Sequence, residues 1–299
     1  MRVVEFDALL ERDMAINIAR STLFTLASSL LFGLMLTTPA SAQVELVFGT
    51  YATDKPSTVV RKFKPFLDHV ASQMSKTLGQ DVSIKMKISK EYEESIDDLA
   101  TGAVDFARFG PASYIAAKDK NPDIQIVAME LSNGNKRFNG VIAVHENSQF
   151  ESLSDLEGQT FAFGDELSTI GRYLAQSQLI SAGIKSEQLQ GYAFLGRHDL
   201  VGTAVGNGKF AAGALKESTF NQLVSNGEPI RALLYFENVT KPWLASSNLS
   251  SDLLDVLRKT IIETTDSEIL KSIAKDGFST GVDEDYDFVR RAMRQSLEF

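Results

Sequence analysis

Cysteine is missing from the 299 residues, which rules out disulfides, thiol nucleophiles, thiolate metal sites and a lipid anchor on a processed cysteine. Histidine is scarce. His69, His145 and His198 are the three present, and they are too scattered in sequence to suggest a metal cluster. No P-loop, no Ser-His-acid set at workable spacing and no run of metal ligands is found, so neither a hydrolase nor any cofactor is expected. Positive charge is in deficit as well: 30 Lys and Arg stand against 39 Asp and Glu, a formal net charge of −9. Such a surface gains nothing from nucleic acid or anionic lipid, so neither is an expected partner. An anionic ligand would be opposed by the field of the whole molecule, and its affinity would have to come from preorganised donors in a cleft.

Long apolar runs are also rare. The one that stands out, residues 23–36 (LFTLASSLLFGLML), is short for a membrane span and suits the core of a signal peptide. Arg20 precedes it, and Ala40-Ser41-Ala42 supplies a small-x-small cleavage pattern. Cleavage is expected after Ala42, leaving Gln43 first. The segment MRVVEFDALLERD carries four acids and two bases, wrong for the start of a signal peptide, so Met14 is expected to be the true start.

The whole chain is 43% apolar and 23% charged, a composition that buries sizeable cores. Residues 44–48 form an expected strand ending in a Gly49-Thr50-Tyr51 turn. Val60, Phe63, Leu67, Val70, Met74 and Leu78 recur at helical spacing up to Gly79, with Pro65 implying a late start or a kink. Val82, Ile84, Met86 and Ile88 alternate as in a strand with one covered face. Ile96, Leu99 and Ala100 predict a helix ending at Gly102, and 104–107 a strand. Strand, helix, strand, helix, strand predicts a parallel sheet with crossover helices. The pattern then restarts: strands at 140–144, 160–163, 193–195, 210–212 and 230–235 alternate with helices at 168–182, 199–205 and 217–224. The tail from Ser250 reads as mainly helical. Two α/β units without a long linker predict two lobes joined by hinge strands. Lobe one comprises 43–138 plus 239–299 and lobe two 139–238, with a ligand cleft where strand ends face each other.

Three stretches carry candidate chemistry. In Phe161-Ala-Phe-Gly-Asp-Glu-Leu-Ser-Thr-Ile-Gly171 a strand leaves through Gly164-Asp165, and Ser168 and Thr169 fall where a helix begins. Helix-start amides and two hydroxyls form an oxyanion cradle that needs no Lys or Arg. Three to five such bonds, each roughly 0.3–3 kcal/mol, support micromolar binding, about −8 kcal/mol. An ordinary Ser/Thr helix cap is the commoner meaning of the same pattern. His198, in Leu195-Gly-Arg-His-Asp-Leu200, follows another strand and is placed to donate to an oxyanion or simply to pack beside a helix capped by Asp199. In Arg108-Phe-Gly-Pro-Ala-Ser-Tyr114 a helix opens at Pro111 or Ala112. There Ser113 offers a donor and Phe109 a wall, though routine turn chemistry fits too.

Taken in order, these segments resemble one family. Phe48-Gly-Thr-Tyr51, Gly102-Ala-Val-Asp-Phe-Ala-Arg-Phe-Gly110, Phe138-Asn-Gly-Val141, Leu153-Ser-Asp-Leu-Glu-Gly158, Phe163-Gly-Asp-Glu-Leu-Ser-Thr-Ile-Gly171, His198-Asp199 and Lys241-Pro-Trp-Leu-Ala245 are similar to the phosphate, phosphite and phosphonate binding proteins of ABC importers. The resemblance implies an α/β type II periplasmic-binding fold, two mixed, mostly parallel sheets flanked by helices, and a periplasmic, monomeric, non-enzymatic protein. Its partners would be a small phosphorus oxyanion and an inner-membrane permease, or a sensor kinase if the same cleft serves signalling. It assigns the ligand to Ser168, Thr169 and His198, with Tyr51, Phe109 and Ser113 closing over it and Glu217 as an acidic contact. Three departures stand out. Ile170 replaces the usual third hydroxyl, Arg108-Phe109 replaces an aromatic pair, and Lys241 stands where aminophosphonate binders carry an acid. These weigh against an aminoalkylphosphonate.

Overall fold

The computed structural model describes residues 43–51 and 56–299. The expected signal segment, with its cleavage after Ala42 and its start at Met14, lies outside them. Strand β1 (Val44–Tyr51) pairs in parallel with β2 (Val82–Ser89), from Val44 opposite Val82 to Tyr51 opposite Ser89. On its other side β1 pairs in parallel with β3 (Phe106–Arg108). The turn expected at Gly49-Thr50-Tyr51 is therefore absent. The ladder carries the backbone on and delivers Tyr51 to the end of the strand.

Helix α1 (Pro56–Leu78) covers this sheet with Phe63, Phe66, Leu67, Val70 and Met74, and Trp243 lies in the same core. Pro65 does not delay the helix. It and Arg61, whose carbonyl loses its bond, are both exposed, so water replaces the missing partner. Helix α2 (Tyr92–Thr101) ends at Gly102, whose φ of 76° is the left-handed conformation glycine adopts without strain. Helix α3 (Pro111–Lys120) begins at the exit of β3 with Pro111 in its first turn.

Strand β4 (Gln125–Glu130) belongs to the same sheet; the chain then crosses through 131–136 to β5 (Arg137–His145) in a second sheet. There β6 (Thr160–Phe163), β7 (Gly191–Phe194) and β8 (Ala212–Lys216) run parallel to one another, while β5 lies antiparallel between β8 and β9 (Ile230–Val239). From β9 the chain returns through Thr240-Lys241 to β10 (Pro242–Ala245), which lies antiparallel between β3 and β4. The short β11 (Phe278–Ser279) closes the far edge. The orders are β11-β4-β10-β3-β1-β2 and β7-β6-β8-β5-β9. In each sheet most strands point one way, and the reversed internal strand follows a crossover. Two mixed sheets flanked by helices form the type II periplasmic-binding architecture.

Helices α5 (His198–Gly206) and α6 (Glu217–Ser225) flank the second sheet. The strand expected at 210–212 starts only at Ala212. The helix expected over 168–182 opens instead as a wide π-turn, Thr169–Leu174, before α4 (Ala175–Ser181). After α7 (Ser251–Ile262) and the one-turn α8 (Ser267–Leu270), the chain ends in α9 (Asp287–Gln295). Residues 287–299, assigned to lobe one in the sequence reading, touch both lobes. Val289 packs with Tyr114 and Tyr286, and Ala292 with Phe161 and Phe163. The Phe299 ring meets Phe163 and Tyr192 edge-on.

Candidate functional site

The carboxyl ends of β1, β3, β6, β7 and β8 converge on a cavity of about 670 Å³. Of the residues expected at the site, Tyr51, Ser113, Ser168, Thr169 and His198 line it. Phe109 and Glu217 do not. Phe109 is buried in the first lobe with its ring stacked 5.7 Å from that of Tyr51, and its neighbour Arg108 faces the cavity. Glu217 opens α6, and the preceding residue, Lys216, points inward; the one-residue offset exchanges an acid for a base.

The π-turn is built by glycine. A Cβ on Gly171 would lie 2.8 Å from the Gly164 Cα, closer than carbon atoms pack, so position 171 requires glycine, and one on Gly164 would be a tight 3.1 Å from the Gly171 Cα. Gly164 donates its amide to the Gly171 carbonyl at 2.8 Å, locking the turn against the end of β6. Ser168 caps the turn, its hydroxyl accepting from the Gly171 amide at 2.9 Å. The Thr169 hydroxyl accepts from the Ala112 amide, also at 2.9 Å, and so joins the second lobe to the start of α3. The Tyr51 hydroxyl accepts from the Gly110 amide at 2.7 Å and from Ser113 at 3.3 Å.

Each of these three hydroxyls already accepts a bond, which leaves its own proton to donate. The cap reading of Ser168 is correct, yet a cap uses only the oxygen's lone pair. Burial raises the Tyr51 phenol above its ordinary pKa, opposed by its bonds to Ser113 and Gly110, so it remains a protonated donor at neutral pH. Tyr92 stacks on it with ring centroids 3.7 Å apart. Ile170, in place of a third hydroxyl, is buried in the second lobe's core and contributes packing.

His198 begins α5, and its Nδ1 is buried without a hydrogen-bond partner among the described residues. Burial first, and then Lys216 and Lys241, hold its pKa well below the usual histidine value. The ring is neutral at neutral pH and presents an unspent polar atom.

Cations nevertheless line the cavity beside the hydroxyls. Lys216 ends β8, Lys241 stands at the return crossover, and Arg108 ends β3; all three line the cavity. Burial lowers both lysines, with Arg108 adding repulsion. Arg108 grips Glu130 with two bonds of 2.6 and 2.9 Å, and the Trp243 indole donates to the same carboxylate at 3.1 Å. Burial opposes ionisation of Glu130, but Arg108 holds its carboxyl below the usual range. Among described residues, Lys62, Lys90 and Arg197 also line the cavity, against Glu91, Asp165 and Asp199. A chain of net charge −9 thus keeps a basic interior surface. Lys216 went unnoticed in the sequence; the available signal was a charged residue closing the small, apolar strand Ala-Gly-Ala-Leu. No cluster of three or more metal-ligating side chains occurs among the described residues, and no described helix is long and apolar enough to cross a membrane.

The family model for phosphonate ABC-transporter periplasmic substrate-binding proteins matches residues 48–286. The chain belongs to that family. A probable ABC-transporter phosphite-binding protein, PhnD1 of Prochlorococcus marinus MIT 9301, is 28% identical over 241 residues, 76% of this chain and 78% of the relative. The solved structure of PhnD1 with methylphosphonate superposes with a TM-score of 0.72 at 22% identity, covering 85% of this chain and 99% of the other. A binding component of a phosphonate ABC transporter from Pseudomonas aeruginosa gives 0.71 at 18% identity, over 85% and 87% of the two chains. At these identities the superpositions establish the fold. Family membership makes the chain the substrate-binding component of an importer that works with a membrane permease.

Proposed function

We propose that this protein captures a small phosphorus oxyanion in the cavity between its two sheets and presents it, with the lobes closed, to an inner-membrane ABC permease. One observation carries the reading. The hydroxyls of Tyr51, Ser168 and Thr169 all line the cavity with an acceptor position already filled by a backbone amide. Hydroxyl protons left free to point into the cavity suit a ligand rich in acceptors, as an ionised phosphonate or phosphite is. The relatives' ligands, phosphite and methylphosphonate, have this chemistry. His198 adds a polar contact, and Ser113 supports Tyr51.

Closure is a hinge motion about the crossings at 131–136 and 240–241, with lobe two between them and the last helix riding on both lobes. The protein works as an exported monomer that begins at Gln43 and binds without altering its ligand. Isothermal titration with phosphite, methylphosphonate, phosphate and methanesulfonate tests the reading. Micromolar or tighter binding of a phosphorus oxyanion supports it; no heat with any of them refutes it.

A further inference from the structure

The hydroxyl cradle accounts for one part of the cavity wall and leaves another unexplained. Lys216 comes from the second sheet, Arg108 from the first, and Lys241 from the crossover between them, yet all three face one space. The acid beside them, Glu130, is already held by two bonds from Arg108 and one from the Trp243 indole. Lys216 lies close enough to Lys241 to disfavour its charge. Neither forms an ion pair with a carboxylate among the described residues. Two ammonium groups sharing one enclosed wall beside a guanidinium repel one another far more than they would in water. Such an arrangement is relieved when an anion sits between them.

Two of the other acids of the wall are engaged elsewhere, and the third, Glu91, is exposed. Asp199 is clasped by Arg197, and Asp165 accepts from the Leu167 amide at 2.8 Å. Space permits a guest larger than a bare oxyanion. At about 30 Å³ per water-sized group, a bare tetrahedral oxyanion of five heavy atoms fills roughly 150 Å³, far less than the cavity's about 670 Å³.

We infer that the guest carries a second acidic group, joined by a short link to the phosphorus oxyanion, and that Lys216, Lys241 and Arg108 receive this group while the hydroxyl cradle holds the phosphorus end. This rests on the oxyanion reading above and sharpens it. The ligand class is a small phosphonate or phosphate ester bearing a carboxylate. A guest bearing an amine is disfavoured, because its charge would meet the lysine pair.

The test is calorimetric titration of the purified protein with methylphosphonate, 2-aminoethylphosphonate, phosphonoacetate and 2-phosphoglycolate. The last two separate a carbon–phosphorus acid from a phosphate ester. The carboxylated ligands should bind about tenfold tighter than methylphosphonate or more, as a charge-assisted contact gives, and the aminated one more weakly. In Lys216→Met and Lys241→Met this preference should fall to about onefold, whereas Lys241→Arg should keep it, since only the neutral variants lose the charge. The wild-type comparison stands even if a methionine variant fails to fold. Methylphosphonate binding with no gain from the carboxylate, or a gain that survives in both methionine variants, overturns this inference and leaves oxyanion capture intact. Failure of all four ligands overturns both.

Discussion

The amide of Ala112 donates to the hydroxyl of Thr169 at 2.9 Å, a single bond that links the first turn of α3 in one lobe to the π-turn of the other. It makes Thr169 a reporter of closure as well as a candidate ligand contact.

Thr169→Val removes that bond, leaves the Ala112 amide unpaired and deletes a donor from the cavity. Affinity for the preferred oxyanion should fall by about 1–3 kcal/mol, while Thr169→Ser should bind almost as the wild type. Adding Ser168→Ala should bring the loss to roughly 2–4 kcal/mol, at about 1–2 per hydroxyl. Titration calorimetry on the three variants measures it, and unchanged affinity in the double variant excludes the cradle.

Gly171→Ala drives a methyl group to 2.8 Å from the Gly164 Cα. The obstacle is backbone, so it cannot swing aside. The variant should lose about 1–3 kcal/mol of stability and bind poorly, because the turn that aims both hydroxyls is displaced. A melting curve and a titration check both effects.

Glu130→Gln withdraws the acid that, among the described residues, pairs with Arg108, in a crowd that also contains Lys216 and Lys241. Breaking a buried pair from one side costs about 3–5 kcal/mol, and that loss should appear in chemical denaturation. A bound anion should recover part of it, visible as an unusually large ligand-induced rise in Tm.

Acid should weaken the ligand-free protein through His198. Its pKa is depressed in the folded state by burial and by two lysines, so below about pH 6.5 the unfolded chain takes up a proton that the folded chain refuses. Stability is therefore lost as pH falls from the unfolded value towards the lower folded one, and is fully present above it. His198→Gln should flatten this slope in a series of denaturation curves at pH 5 to 7.5. A slope unchanged by the substitution assigns the acid sensitivity to other groups.

The strands and helices that repeat in the two units were legible because their apolar spacing is strong: Phe63, Leu67, Val70 and Met74 in α1, and the bounds of β6, follow from periodicity and flanking glycine. β4 and β10 were not foreseen, the latter being four residues that begin with Pro242 and owe their pairing to strands far away in sequence. The capped turn from Gly164 to Gly171 could be read, since glycine, serine and threonine announce a turn and a helix start. The basic part of the wall could not be assembled in advance. Arg108, Lys216 and Lys241 sit more than a hundred residues apart at the extremes, and their convergence is a product of how two sheets exchange strands. Phe109 misled because alternation in a three-residue strand leaves little to decide which neighbour turns inward.

The chain terminus has a practical corollary. Phe299 is wedged edge-on against Phe163 and Tyr192, and its carbonyl accepts from the Ser186 amide at 3.2 Å. A purification handle or fluorophore fused there grows from a packed anchor and would disturb that packing; labels belong on the exposed turn around Asn207-Gly208 instead.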